Sequence, residues 1–86
     1  SLISSTITVS TTARTLGNNT VTSGVNIQSD PTNTQTVRVG GNKLAGTSVN
    51  GFALEPGESI FLNVSNTNLI FARSMRGNQK VNIVGS

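Results

Sequence analysis

The chain has 86 residues, neither cysteine nor histidine, three phenylalanines as its only aromatics, and six basic against three acidic side chains for a net charge of +3. That composition excludes a disulfide framework, a thiolate or imidazole metal site and imidazole-assisted nucleophilic catalysis. The sparse charge forms no dense basic patch with aromatic platforms, so nucleic acid is not an expected partner. No apolar run approaches the ~20 residues of a membrane span.

Residues 1–5 read as an N-terminal arm, a frayed terminus by default. The sharper reading docks Leu2 and Ile3 on a neighbouring subunit. With no basic-then-apolar leader at this end, the expectation is a soluble chain not secreted through a cleavable signal. The single β-domain is expected over 6–86. Its first strand is TITVS at 6–10, alternating and β-branched. A turn cluster at 16–19 follows, and Val21, Val25 and Ile27 then predict a strand with a bulge at Gly24. Asp30-Pro31-Thr32-Asn33 has type I turn chemistry. TVRV at 36–39 is the next strand.

Residues 51–64 (GFALEPGESIFLNV) read as a β-hairpin. Phe52 and Leu54 alternate before the turn, and Ile60, Leu62 and Val64 alternate after it. Pro56 presets φ at the second turn position, and Gly57 tolerates the positive φ of a type II turn at the third. LIFA at 69–72, apolar on both faces, predicts a buried strand, and KVNIV at 80–84 is the last. About seven short antiparallel strands without helical periodicity give an all-β fold, a small β-sandwich or barrel whose strand order the pattern does not carry. The core is thin, and a chain this short buries only about 60–65% of its unfolded surface. Association with copies of itself or with a larger partner is therefore expected.

Chemistry is poorly supplied. The only carboxylates are Asp30, Glu55 and Glu58, each at a turn, and an exposed tip offers no burial to separate an acid from a base. No enzyme, cofactor or metal is expected. The glycines of residues 41–48 have phosphate-loop spacing, but Thr47 stands where lysine is required and no helix pattern follows. Asp30 with Asn33 supplies too little charge for calcium. The sequons at Asn18 and Asn63 read as chance. Arg73, Arg76 and Lys80 form the nearest approach to a basic cluster, ordinarily a solvated face and alternatively a surface for an acidic partner. Phe61 opposes Ile60 and Leu62, and Phe71 opposes Ile70 and Ala72, so one thin core can take only one face of each strand. Phe61 and Phe71 thus become candidates for an interface, or for cover by a loop of the same chain.

The ordered succession VNIQSDPTNT (25–34), VRVG (37–40), GFALEPGES (51–59), VSN (64–66) and LIFA (69–72) resembles small virion proteins of tailed bacteriophages over nearly the whole chain. Phe71 stands where tyrosine is more usual. The resemblance implies an all-β module that decorates and cements the outer capsid surface, with the major capsid protein as partner and a homotrimer as the favoured oligomer. It implies no catalytic or cofactor residues. The alternative is a carbohydrate- or receptor-binding module of a tail or head fibre. Phe52, Phe61 and Phe71 all fall inside strand patterns, which counts against the exposed aromatic platform that sugar binding favours.

Overall fold

A computed structural model of the chain describes residues 2–41 and 51–86. Among the described residues eight strands are formed: β1 (Ile3–Val9), β2 (Arg14–Thr15), β3 (Val25–Ser29), β4 (Val37–Gly40), β5 (Phe52–Leu54), β6 (Ser59–Leu62), β7 (Phe71–Ser74) and β8 (Gln79–Gly85). A short 3-10 turn, Thr67–Leu69, precedes β7. The all-β expectation holds. The strands make two antiparallel four-stranded sheets, β1-β8-β3-β6 (sheet A) and β2-β7-β4-β5 (sheet B). Pairing of first with last, second with seventh, third with sixth and fourth with fifth is the order of a jelly-roll sandwich.

Alternation sets the core. Val9, Val25, Ile27, Val81 and Ile83 from sheet A face Val37, Val39, Leu54 and Ala72 from sheet B, with Leu16 and Ile70 closing one end. The short dimension of the Cα envelope is 16 Å, as expected for two layers about 10 Å apart. No phenylalanine belongs to this core.

Several expectations are corrected. β1 begins at Ile3, three residues before the clean alternation, because pairing with β8 runs from Ile3 opposite Gly85 to Val9 opposite Gln79. Most of the segment expected as an arm is therefore strand. Gly24 is no bulge: it lies just before β3 with φ +84°. Leu69 is exposed in the 3-10 turn, so only Ile70 and Ala72 of the apolar quartet are fully buried. The phosphate-loop spacing at 41–48 lies almost wholly outside the described residues.

The largest correction concerns residues 51–64, which are not a hairpin. β5 pairs with β4 in sheet B, whereas β6 pairs with β3 in sheet A. The turn between them has the expected local form, with Glu58 N donating to Glu55 O (2.9 Å) and Gly57 at φ +89°. It arches from one sheet to the other. Ser29 at the end of β3 donates to Glu58 O (2.9 Å) and accepts from Gly57 N (2.8 Å), so the turn is stitched to β3 and delivers β6 to that strand.

The connection between β3 and β4 is held to β8 by two side-chain amides. Asn33 Nδ2 donates to Lys80 O (2.7 Å), and its Oδ1 accepts from Lys80 N (2.8 Å), as a paired strand residue would. Buried Gln79 accepts at Oε1 from Thr34 N (2.9 Å) and Gln35 N (3.2 Å), while its Nε2 donates to Arg76 O (3.3 Å). Replacing Gln79 by alanine leaves two backbone donors without their acceptor. The expected loss is about 1–3 kcal/mol in urea unfolding, whereas exposed Asn78→Ala should change stability by less than about 0.5 kcal/mol.

Candidate interaction surfaces

With the core spent on aliphatic residues, and Ile7, Ile60, Leu62 and Val64 packed partly against it, several large apolar side chains are left outside. Leu2, Phe52, Phe61, Leu69, Met75 and Val84 are all exposed. Cross-strand register places them. On the outer face of sheet A, one row reads Ser4, Val84, Asn26, Phe61 across β1, β8, β3 and β6, and the next reads Thr6, Asn82, Gln28, Ser59. Phe61 is 53% exposed. Its ring also covers Gly24: a Cβ there would lie 2.5 Å from Phe61 Cζ and 2.8 Å from Leu62 O. Only glycine fits beneath that ring at positive φ.

The polar row is tied across three strands. Thr6 Oγ1 donates to Asn82 Oδ1 (2.8 Å), and Asn82 Nδ2 donates to Gln28 Oε1 (3.2 Å) and Asp30 Oδ2 (3.1 Å). Asp30 Oδ1 also accepts from Thr32 Oγ1 (2.6 Å) and Thr32 N (2.8 Å), the Asx geometry expected of this turn. Those bonds, the Thr32 hydroxyl foremost, followed by the Thr32 amide and Asn82, hold the Asp30 carboxyl below its ordinary value, with the nearby Lys80 charge adding to them.

Sheet B presents a different outer face. Phe71 stands in register between Thr15 and Gly40 and is half-buried, while Arg73 lies directly opposite Arg38 of β4. Two like charges across adjacent strands oppose pairing, and Arg38 directs Nη1 to Gly51 O (3.2 Å). The expected cluster of Arg73, Arg76 and Lys80 is thereby dispersed. Arg73 is on the outer face of sheet B, Arg76 is exposed in the β7–β8 turn, and Lys80 is on the outer face of sheet A opposite Thr8. Arg38 was missed as the neighbour of Arg73, because 35 positions separate them in the sequence and only strand order brings them together. Leu2 is fully outside, and Ile3 is half-buried on the core side of β1.

At the end of the sandwich formed by residues 21–22 and 63–65, Val21, Thr22, Asn63, Val64, Ser65 and Leu69 line an open groove of about 650 Å³. Among the described residues, no three His, Cys, Asp or Glu side chains converge as metal ligands, and no helix is long and apolar enough to cross a membrane.

No protein-family model matches the chain, and no curated protein matches it. A solved structure is similar in fold, from work on Bacillus endospore appendages described as a novel family of disulfide-linked pili. The likeness covers 100% of this chain and 85% of that one, at a TM-score of 0.52 and 16% identity. It is a likeness of fold. The linkage named for those pili has no counterpart within these 86 residues, which contain no cysteine.

The Asp30 network has a testable pH signature. Because the folded carboxyl is more acidic than that of the unfolded chain, its contribution is fully present above the unfolded value of about 4 and is lost as pH falls through the folded value. Unfolding midpoints measured from neutral pH downward should therefore drop below about pH 4. Asp30→Asn should flatten that part of the profile and lower stability at neutral pH.

Proposed function

We propose that this chain is a non-enzymatic structural module of a bacteriophage virion, a homotrimer that binds the outer capsid surface and stabilises the shell by bridging major capsid protein subunits. The observation that carries the reading is the ordered set of phage-like motifs spanning residues 25–72. The surface is compatible with it. Among the described residues six large apolar side chains are exposed on a small domain, and such side chains, where they adjoin, serve as contact surface. A jelly roll by itself carries no function, since the same architecture hosts many. The likeness to a pilus protein is support by fold analogy for a part in an ordered assembly, and no more.

Bridging stabilises by mass action: contacts made only in the assembled shell draw the equilibrium toward it. Exposed Arg76 and Lys80 offer positive charge to an acidic patch on a capsid subunit, which would set orientation more than affinity. Leu2 and Phe61 supply apolar contact.

A second reading gains from one observation. Phe52 and Phe61 are more than half exposed, so the expectation that strand patterns hide them is wrong for these two. Phe61 beside Asn26 in register is an aromatic edge next to an amide, a combination that also suits a sugar. Image reconstruction of intact virions separates the two readings: decoration predicts a regular lattice on the head, and a fibre module predicts a few copies at the tail or at isolated head positions. For the cementing role, particles carrying the protein should release their genome at a higher temperature than particles stripped of it. Equal release temperatures would leave decoration without cementing.

A further inference from the structure

Among the described residues, the two edge strands of sheet A carry no charge or proline of their own, and the one guanidinium that reaches β1, that of Arg14, meets it at Thr8 O alone. β1 reads ISSTITV and β6 reads SIFL, with no Lys, Arg, Asp, Glu or Pro in either. Their registers with β8 and β3 run residue for residue, without a bulge. Exposed edges are ordinarily blunted by charge, proline or bulges, because their free backbone groups template further pairing. Sheet B is better protected, with Arg14 on β2 and only three residues in β5.

The directions of these edges constrain what can pair with them. Sheet A has four strands, each antiparallel to its neighbour, so β1 and β6 run in opposite directions. Two copies placed side by side in the same orientation therefore bring β6 of one antiparallel to β1 of the next. The alternation of the sheet continues across the joint.

We infer that sheet A is continued from copy to copy, with β6 of one chain pairing antiparallel with β1 of another. Side-chain parity limits the register. Keeping Ile60 and Leu62 on the core side with Ile3, Ile7 and Val9 sets Phe61 opposite Ser4, Thr6 or Thr8, where its exposed ring gains cover. The ends match in charge as well. Ser59 is level with Thr6 through Gln28 and Asn82, which puts Glu58, at the head of β6, level with Ile7, one residue from the Thr8 carbonyl that Arg14 Nη1 reaches (3.4 Å). A foreign strand could use one edge. Two oppositely directed edges on one sheet, neither strand charged itself, with an acid beside one and an arginine beside the other, fit a second copy of this chain. Each copy uses both edges once, giving a heterologous contact that closes into a ring or runs on as a row.

Sedimentation of the purified chain over a wide concentration range tests this, together with variants that charge a single edge. Thr6→Lys blocks β1. Phe61→Lys blocks β6, and Ser59→Lys blocks the same edge while leaving the ring on Gly24 in place. Cooperative melting of each variant establishes that it folds. The wild type should gain mass with concentration, and each variant should associate at least about tenfold more weakly. An equimolar mixture of Thr6→Lys with Ser59→Lys should form one-to-one pairs and nothing larger, since each retains the edge that the other has lost. A wild type that stays monomeric overturns the inference, as does a folded variant that associates like wild type or a mixture that does not pair. The inference stands apart from the virion reading: self-association with no effect on particle heat resistance would keep the former and remove the cementing role from the latter.

Discussion

Among the described residues, the hydrophobic core is made of aliphatic side chains without an aromatic ring. Two short-stranded sheets close over valines, isoleucines, leucines and one alanine, and β-branched residues fill the space between sheets with little loss of rotamer freedom. All three phenylalanines are left outside this core. Phe61 covers the positive-φ Gly24, Phe71 lies opposite Gly40, and Phe52 stands at the edge of sheet B. A domain that spends its core this way has limited burial of its own and keeps its largest apolar groups where a neighbour can reach them.

Polar bonds then fix what the thin core cannot. Gln79 and Asn33 hold the β3–β4 connection against β8, and Thr67 holds the region near residue 19, accepting at Oγ1 from Asn19 N (3.0 Å) and donating from its own N to Asn19 O (3.0 Å). Buried polar groups with this many partners specify one arrangement of loops, because any other leaves a donor or acceptor unsatisfied. The result is a slab whose two outer faces differ. One is a mainly hydroxyl and amide surface bearing Phe61, Val84 and Lys80, and the other carries the Arg38–Arg73 pair.

Much of this was legible in the sequence because alternation reports which side of a strand faces inward. Ile60 and Leu62 against Phe61, and Ile70 and Ala72 against Phe71, were assigned to the correct sides. Turn chemistry was equally readable at Asp30 and at Pro56-Gly57. Partner choice was not. A type II turn serves a hairpin and an inter-sheet arch alike, and the bonds that decide between them run to Ser29, 28 positions before Gly57. The basic cluster failed for the same reason, since closeness in sequence around 73–80 spans two sheets. β2, with only two residues, is too short to leave an alternating pattern.

Backbone amide hydrogen exchange, followed residue by residue in dilute and concentrated protein, most directly tests whether the chain works by extending its own sheet. Continuation of sheet A predicts that alternate amides of β1 and β6, those directed away from β8 and β3, exchange more slowly at high concentration while β2 and β5 do not change. Unchanged exchange along β1 and β6 in a sample that has nonetheless associated would contradict it and place the contact elsewhere on the molecule.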